Sequence, residues 1–501
     1  MAPEHPYDLD QLVRTLRQAP WMDAAGRHAD RLTVIDHADL AGAPGPARLL
    51  LLGTPHRLDL RWAAVVTWDA AGRAREAHPS EPFDRAVTEA LAAGRRISTA
   101  RGGVIEFSGD APEFRRQLPF DPGWSSNALS LVDLAGTPHV HKTYRRLHLG
   151  LNEPAAVRRM DGTGYTAAYR GDYVYVEPYT RRRWPLGLLY EYLSGDPLDV
   201  PLRENLREMW RHVPTDDRPH DVRGHLGPLE APLRKVGRSL RGFHRALAGP
   251  ATGAPFPVAA CVDDIDDRLA DLLPRIITDQ RFPEAARDTA AAGLTAELRE
   301  AAAEADLMPV SPVAPCHGDL HLGHVLVRRP PGGEWDLRLI DLSPVALEPT
   351  DPAFATQSPW QDVVSLHRAT EYFTGEEVLQ QVVEEFGGTR DQACLAGLEL
   401  DAGVVASDPR WSPERRMRLR QLSRASDQWQ RQVCDLLLAG YCDDPTAAAH
   451  PVSRLLYLRR LLHELAYDYD HDRAYFAAMD LRHAIHLARR CAVTAGRRNS
   501  L

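Results

Sequence analysis

The sequence predicts an α+β protein in which strands dominate before residue 179 and helices dominate after it. Apolar runs at 48–53 and 60–68 have the length and composition of strands. Further along the chain, apolar residues recur at helical spacing, most clearly over 233–247 and 455–490. Strands that are separated from helices along the chain are typical of the α+β class.

Composition and charge are those of an ordinary soluble globular protein. The chain has 501 residues, of which 44% are hydrophobic and 26% charged, and its formal net charge is −9. No basic surface requires a nucleic-acid partner, and no apolar run has the length of a membrane span or the form of a signal peptide. The six cysteines include no Cys-x-x-Cys pair, so zinc sites and disulfides are poorly supported. We expect a cytoplasmic protein with no nucleic-acid or membrane partner, and the oligomeric state stays open.

Residues 1–112 combine a helix predicted over 8–16 with the two strand-like runs. Glycine-containing steps at 42–45 and 102–103 have the composition of turns, and no phosphate-binding loop is present among them. We expect a small α+β subdomain that packs on the segments that follow.

The next segment carries the first candidate nucleotide-binding residues. A turn of small residues precedes a strand, and its polar members are Ser125, Ser126 and Asn127. Backbone N–H groups in such a turn can cover phosphate oxygens, and Lys142 on the following strand can bind phosphate as a point charge. A helix predicted to begin beside Glu153 would let that carboxylate pair with Lys142. The alternatives are an ordinary hairpin turn and a solvent-facing strand lysine.

A strand over 173–177 ends in a proline, which removes one backbone donor. A hinge between two lobes could lie here, and the backbone near Glu177 and Tyr179 could contact the adenine edge of a nucleotide. An edge strand that enters a loop explains the same residues equally well. Helices are then expected over 186–193 and 202–213.

The strongest signal is the run Cys-His-Gly-Asp-Leu-His-Leu-Gly-His-Val-Leu-Val at 316–327, followed by Leu-Ile-Asp at 339–341. A His-x-Asp loop, a polar side chain five positions after that Asp, and an Asp that ends an apolar strand occur in this order in kinase-type phosphoryl-transfer enzymes. The two apolar runs would form a hairpin that brings Asp319 and Asp341 to one end. Asp319 could accept the proton of an acceptor hydroxyl, and Asp341 could ligate Mg²⁺. Aspartates that serve only as turn and cap formers are the alternative for either residue alone.

The run from His317 to Gly323, together with Asp341, resembles the aminoglycoside-phosphotransferase-like kinases, and within them the actinobacterial maltokinase and glucosamine kinase group. Weaker similarities lie at 142–146, 152–154, 243–247, 358–363, 368–372 and 461–467. The resemblance implies a bilobal, eukaryotic-protein-kinase-like α+β fold. Its parts would be an N-terminal cap subdomain at 1–112, a nucleotide-binding N-lobe at 113–178 and a large, mostly helical C-lobe at 179–501.

The resemblance also implies ATP, Mg²⁺ and transfer of the γ-phosphoryl group to a sugar hydroxyl. By position, Asp319 would be the catalytic base and Asp341 a metal ligand. Lys142 would bind the nucleotide phosphates with Glu153 as its partner. Asp362 would support the catalytic loop from beneath rather than touch substrate.

Two departures from the family pattern concern the metal and the acceptor. His324 stands where relatives usually have Asn or Gln as the second metal ligand, and imidazole nitrogen matches Mg²⁺ poorly. We hypothesise that His324 contacts the metal through water or broadens the site toward Mn²⁺. The segment after Asp341 also lacks the acidic continuation that is common in maltokinases, so maltose is a less suitable acceptor.

The acceptor site is expected on the C-lobe, because sugar sites combine carboxylates and amides with an aromatic face. The candidates are His321, Gln361, Arg368, Glu371, Tyr372, Glu376, Glu377, Trp429, Glu464 and Tyr467. Several carboxylates favour a cationic amino sugar, and glucosamine, giving glucosamine 6-phosphate, is the first choice. The alternatives are a maltokinase that forms maltose 1-phosphate, an aminoglycoside phosphotransferase, and a pseudokinase without turnover.

Overall fold

A computed structural model of the chain divides it into two compact units, one made of residues 1–194 and 340–351 and the other of 195–339 and 352–501. No helix among the described residues is long and apolar enough to cross a membrane. The residues that the structure describes are 9–29, 31–40, 47–57, 59–68, 74–123, 125–214, 222–249, 254–305, 312–330, 334–342, 357–404, 411–446 and 450–498.

The described residues of the first unit form two antiparallel sheets and four helices. Its helices are α1 (Leu9–Arg17), α2 (Ala24–Arg27), α3 (Glu81–Ala92) and α4 (Glu153–Met160). One sheet has the order β1 (Thr33–Leu40), β2 (Ala47–Gly53), β3 (Arg61–Trp68) and β10 (Arg146–Leu147), with β4 (Ala74–Glu76) also paired to β3. The other has the order β5 (Arg96–Ser98), β6 (Val104–Gly109), β11 (Tyr169–Val176), β12 (Arg183–Glu191), β9 (Thr137–Thr143), β8 (Ala128–Leu134) and β7 (Phe114–Leu118).

Strand β2 shows why the first unit has two buried clusters. Successive side chains of a strand point to opposite faces of its sheet. Leu49 and Leu51 therefore join the cluster that includes α3 and the seven-stranded sheet, whereas Leu50 and Leu52 join the cluster that includes α1. The seven-stranded sheet contains strands from both sides of residue 112. The two predicted subdomain boundaries, after residues 112 and 178, both lie between strands of this one sheet.

The prediction of a helix over 186–193 is wrong, because residues 186–191 belong to β12 and 192–193 follow the end of that strand. A short apolar run does not distinguish a strand from a buried helix, and here tertiary pairing decides. Gly187 lies against Tyr173 of β11, and a Cβ atom there would collide with the Tyr173 ring. The strand therefore requires glycine at this close approach between neighbours.

Where the structure describes it, the second unit is mainly helical and holds one small sheet. Its strands are β13 (Asp196–Pro197), β14 (Val325–Arg328) and β15 (Asp336–Leu339), which pair in that order. Its helices are α5 (Asp199–Trp210), α6 (Arg223–Ala248), α7 (Val258–Thr278), α8 (Glu284–Ala305), α9 (Trp360–Phe386), α10 (Arg390–Asp401), α11 (Pro413–Cys442), α12 (Pro451–Asp470) and α13 (Ala474–Arg498). Helices α6 and α11 approach closely because Gly237 and Gly440 have no side chains, and a Cβ atom at either position would collide with the facing backbone. This contact fixes α6, which carries a residue that supports the His-x-Asp loop.

Candidate active site

A buried lysine joins two carboxylates in the first unit. Lys142 of β9 is 2% exposed, and its Nζ lies 2.8 Å from Glu153 Oε2 and 2.5 Å from Asp341 Oδ1. Strand β9 runs between β8 and β12, so Lys142 is flanked by Leu129 and Leu188 on the neighbouring strands. The Tyr144 hydroxyl donates to the same oxygen, Glu153 Oε2, at 2.7 Å. The structure thus brings together three residues that the sequence separates by up to 199 positions.

The charge on Lys142 is held by its partners. Burial opposes the ammonium form, but the carboxylates of Asp341 and Glu153 outweigh it and raise the pKa of Lys142. Burial, reinforced by Glu153, raises the pKa of Tyr144 well above its usual value, so that side chain stays a neutral hydrogen-bond donor. A permanent positive charge in this position suits an anionic ligand.

Asp341 follows β15 and has a left-handed backbone, with φ +58°. Aspartate tolerates this region better than most residues because its short side chain bonds locally. About 37% of its side chain is exposed, in contrast to the buried Lys142 and Glu153. The carboxylate is therefore accessible for a ligand while one oxygen contacts Lys142.

The His-x-Asp loop in the second unit is supported by a buried carboxylate. Asp362 of α9 accepts hydrogen bonds from the backbone N–H groups of His317 at 2.6 Å and Gly318 at 2.9 Å. His244 of α6 contacts the same carboxylate through Nε2 at 2.8 Å and reaches Tyr441 through Nδ1. Burial opposes ionisation, but the hydrogen bond and charge of His244, together with His317, lower the pKa of Asp362. An ionised carboxylate thus fixes the backbone just before Asp319.

Asp319 lies beside an arginine that the sequence reasoning did not identify. Arg460 of α12 has Nη2 at 3.9 Å from Asp319 Oδ1, and its Nε donates to Glu464 at 2.6 Å. Its Nη1 is buried and has no hydrogen-bond partner among the described residues. The only sequence signal is its place just before the segment 461–467 that carries the family resemblance.

Two histidines of the loop have neighbouring, tilted rings. Leu322–His324 forms a single 3₁₀ turn, and the rings of His321 and His324 have centroids 3.6 Å apart. His324 Nδ1 lies 2.9 Å from the backbone oxygen of Asp319, while His321 Nδ1 accepts the N–H of Gly323 at 3.1 Å. One ligand atom each of Asp319, His321 and His324 lie within 4.8 Å of one another.

Most of the predicted acceptor residues have structural partners instead. Arg368 is 1% exposed and lies at the centre of an ionic network. This burial corrects the expectation that Arg368 contacts substrate. Its guanidinium contacts Glu371 at 2.6 Å, Glu464 at 2.9 Å, Asp480 at 2.7 Å and His483 at 2.9 Å. Burial opposes the Arg368 charge, but these carboxylates raise its pKa, whereas Arg368 outweighs burial at Glu371 and lowers the pKa of that carboxyl. Tyr372 also donates to Asp480.

Three further candidates also have hydrogen-bond or ion-pair partners within the fold. Trp429 is fully buried and donates to Asn205 at 2.8 Å, so it offers no aromatic face to a sugar. Glu377 pairs with arginines of α5 at 2.8 and 3.1 Å, and Glu376 pairs with Arg390 at 2.8 Å. Position within a helix does not reveal such partners, because they come from distant parts of the chain.

The remaining candidates lie at surfaces or element ends. Tyr467 is 46% exposed and stacks on His471. Gln361 is the second residue of α9, and its N–H donates to the Ser358 backbone oxygen at 2.8 Å. Ser125, Ser126 and Asn127 lie in the turn between β7 and β8. Within this turn the Asn127 N–H donates to Ser125 Oγ at 3.1 Å.

The expected hinge position lies in a hairpin. Glu177 and Tyr179 fall in the turn between β11 and β12, where the Glu177 N–H donates to the Arg182 oxygen and the Tyr179 side chain is 93% exposed. The chain passes to the second unit only after β12, at 194–195. The Glu177 N–H is already bonded within its hairpin, and the contact of this backbone with adenine stays a prediction.

A cavity of about 490 Å³ in the second unit lies between α9, α11, α12 and α13, and Glu371, Asp427, Tyr457 and His483 are among its lining residues. None of the described residues of the His-x-Asp loop lines it. The described lining of this cavity therefore gives no support for an acceptor site beside Asp319.

No protein-family model and no curated protein matches the sequence. Among solved structures, a glucosamine kinase in complex with glucosamine, ADP and inorganic phosphate aligns with TM-score 0.52 and 17% identity, over 90% of this chain and 93% of that chain. A second form of glucosamine kinase aligns with TM-score 0.54 and 17% identity, over 92% of this chain and 95% of that chain. An aminoglycoside phosphotransferase with ADP and hygromycin B reaches a TM-score of only 0.35 at 13% identity, over 75% and 94% of the two chains, too low to bear on the fold. The two glucosamine kinase structures show that the chain has their fold, which confirms the predicted fold class and the resemblance at that level.

Proposed function

We propose that this protein is an ATP-dependent sugar kinase and that its acceptor is an amino sugar, with glucosamine as the first choice. The observation that carries the proposal is the buried contact of Lys142 with Glu153 and Asp341. A lysine oriented by a buried glutamate and adjacent to a strand-end aspartate is the arrangement that kinases use to bind nucleotide phosphates and their metal. A lysine with a purely structural role would not need a neighbouring aspartate that has a left-handed backbone and is partly exposed, as Asp341 is.

In this proposal Lys142 binds phosphate oxygens of ATP, and Glu153 with Tyr144 keeps its ammonium in place. Asp341 would hold Mg²⁺, since its carboxylate oxygens are the hard ligands that Mg²⁺ prefers. His324 suits Mg²⁺ only through a water molecule and suits Mn²⁺ better. When bound, the cation would neutralise charge on the transferring phosphoryl group.

Asp319 would accept the proton of the acceptor hydroxyl. The hydroxyl oxygen then forms its bond to the γ-phosphorus as the bond between that phosphorus and the bridging oxygen of ADP breaks. Asp362 fixes the preceding backbone through two hydrogen bonds, which positions Asp319 without touching substrate. Lys142 and Asp341 belong to the first unit and Asp319 to the second.

The acceptor would bind beside Asp319. Arg460 Nη1 lacks a hydrogen-bond partner among the described residues, and a buried donor of this kind favours an oxygen-rich ligand. Glu464 lies next to Arg460 and pairs with both Arg460 and Arg368, so it holds the Arg460 guanidinium in place. The solved glucosamine kinases, one of them bound to glucosamine, support this acceptor class.

The test is an ADP-release assay on the full chain with ATP and Mg²⁺ against glucosamine, maltose, glucose and several aminoglycosides. We expect acceptor-dependent ADP release with the highest kcat/KM for glucosamine, and NMR of the product identifies the phosphorylated hydroxyl. A preference for maltose or for an aminoglycoside would move the protein to one of those two classes. ATP binding without turnover on any acceptor would support the pseudokinase alternative and refute the kinase.

A further inference from the structure

We propose that the cavity between α9, α11, α12 and α13 is a binding site for a small hydroxylated amine, separate from the candidate active site. Its volume of about 490 Å³ lies in the range of small-molecule sites, and its wall combines apolar and polar side chains. The apolar part includes Val378 of α9 and Met479 of α13. All of the described lining residues belong to the second unit.

The wall contains a carboxylate whose charge no contact compensates. Asp427 of α11 is partly buried and lines the cavity, and it forms no hydrogen bond or ion pair with any residue that the structure describes. Burial raises the pKa of Asp427, although the charges of His486 and Arg482 act in the opposite direction. A desolvated charge without a partner is unfavourable, so a cation that enters the cavity gains a strong contact with Asp427. A protonated amine supplies both the positive charge and N–H donors for the carboxylate oxygens.

The other buried charges of the wall already have partners. Glu371 accepts from Arg368 at 2.6 Å and from the Tyr457 hydroxyl at 2.8 Å. Arg482 donates to Asp401 at 2.7 Å. The remaining arginines and aspartate of the wall are exposed and screened by water, and they are Arg431, Asp435 and Arg489. Asp427 is therefore the charge that selects the ligand.

A neutral histidine supplies a hydrogen-bond donor to the same cavity. Arginine only donates, so His483 Nδ1, which lies 2.9 Å from Arg368 Nη1, accepts that hydrogen. Burial and the Arg368 charge lower the pKa of His483 to about 3, and the neutral ring therefore carries its own hydrogen on Nε2. Neither this Nε2 nor the hydroxyl of Ser423 has a hydrogen-bond partner in the part of the chain that the structure describes. Hydroxyl groups of a ligand can bond to both while its amine contacts Asp427.

Arg368 connects the wall of the cavity to the candidate base. Its Nη1 contacts His483, and its Nη2 donates to Glu464 at 2.9 Å. Glu464 also accepts from Arg460, whose Nη2 lies 3.9 Å from Asp319 Oδ1. A ligand hydroxyl that accepts from His483 Nε2 polarises the ring and strengthens the bond at Nδ1, because linked hydrogen bonds reinforce one another. An occupied cavity would thus hold Arg368, and through Glu464 the Arg460 guanidinium, more firmly in place.

Binding is tested on the full chain by ligand-observed NMR titration with 2-amino-1,3-propanediol. Glycerol is the matched probe, because it carries a hydroxyl in place of the amine. We expect the amine to bind with a Kd about 10-fold below that of glycerol, since a hydrogen bond to a charged group contributes more than a neutral one. Asp427→Asn should remove this difference between the two probes. Asp266→Asn, which changes an exposed aspartate of α7, should bind both as the wild type does.

A second variant tests the location independently of the charge. Ser423→Phe fills part of the cavity and should weaken the binding of both probes by about 10-fold or more, since it removes a hydroxyl contact and space for the ligand. Asp427→Asn keeps the shape of the side chain and removes a charge that has no partner, so it should fold even if Ser423→Phe does not. Equal binding of the two probes by the wild type overturns the proposal. An unchanged Kd for the amine in either folded variant also overturns it.

The effect on transfer is measured separately and rests on the proposed function. With glucosamine well below its KM, 2-amino-1,3-propanediol should raise kcat/KM by about 5-fold, at the lower end of usual coupling between sites. Asp427→Asn should retain the basal kcat/KM and lose this rise. A fall would indicate competition with the acceptor, and an unchanged value would show that the cavity is not linked to Asp319; either result overturns the effector role. Absence of turnover on every acceptor would refute the proposed function and leave the binding result intact.

Discussion

Lys142 Nζ lies 2.5 Å from Asp341 Oδ1, although the two residues are 199 positions apart in the chain. The same ammonium contacts Glu153 at 2.8 Å, so it links α4 to the segment that follows β15. This link joins a residue predicted to bind phosphate to one predicted to bind metal. If a nucleotide and its metal bind here, this ionic contact would have to break, because Lys142 and Asp341 would then both turn to the ligand.

The variant Glu153→Gln should weaken nucleotide use more than it weakens the fold. It removes the charge that orients Lys142 but keeps a side chain of the same shape, and Asp341 still compensates the ammonium. We expect kcat/KM for ATP to fall by about 10²-fold, as for loss of one preorganised electrostatic contact, with a loss of unfolding free energy of ~1–3 kcal/mol. The comparison is Glu106→Gln, which removes a surface carboxylate of the same unit. Equal kinetics in the two variants would show that Glu153 does not position Lys142.

The variant Asp319→Asn should remove the base and preserve the site. We expect kcat to fall by about 10²–10⁴-fold, the range that general-base catalysis contributes, while the Kd for ATP stays nearly unchanged. Asp266→Asn, an exposed aspartate on α7, is the matched control and should retain wild-type kinetics. Turnover by Asp319→Asn at the wild-type rate would refute the proposed mechanism.

The variant His324→Asn should change metal preference rather than abolish activity. An amide oxygen is a harder ligand than imidazole nitrogen, so activity with Mg²⁺ should rise relative to activity with Mn²⁺. Steady-state rates at matched concentrations of the two metals measure the ratio. Identical metal profiles in wild type and variant would mean that His324 does not act at the nucleotide's metal.

The variant Asp362→Asn should damage the loop from beneath. An amide can still accept one of the two backbone hydrogen bonds, but it loses the charge-assisted contact with His244. We expect a loss of unfolding free energy of ~2–3 kcal/mol and a kcat lowered with little change in KM for ATP. Restoration of kcat by Asp362→Glu would favour a positioning role, whereas a changed KM alone would contradict it.

The parts of the site that could be predicted are those whose chemistry follows from local sequence. Asp319 and Asp341 stand in a fixed order along the chain, and Glu153 falls at the start of a helix one strand after Lys142. The acceptor residues could not be predicted in this way. Arg368 and Trp429 are residue types found in sugar sites, yet their partners come from α12, α13 and α5, and no local pattern shows that they are buried.

The same limit applies to the fold. The run at 186–191 is apolar on both faces because it forms an inner strand, and a periodicity of two is then absent. Arg460 is the opposite case, a site residue that the sequence does not indicate, because an arginine on a helix is usually solvated. Its contact with Asp319 exists only because α12 packs beside the loop.

Asp468 gives the second unit a predictable dependence of stability on pH. Burial, reinforced by Asp480, raises the pKa of Asp468 to about 7 against the influence of Arg473, and one of its oxygens has no hydrogen-bond partner among the described residues. The folded state therefore holds a proton that the unfolded chain has lost above pH ~4, so this stabilisation is complete at low pH and disappears as the pH rises through about 7. Asp468→Asn mimics the protonated form, so we expect it to raise the unfolding free energy relative to wild type at pH 8 by ~1–2 kcal/mol, after discounting for solvent screening, and to have little effect near pH 4.5. Urea unfolding of both proteins at the two pH values, with Asp266→Asn as the exposed control, measures the difference. An equal effect of Asp468→Asn at both pH values would show that this carboxyl does not titrate with folding.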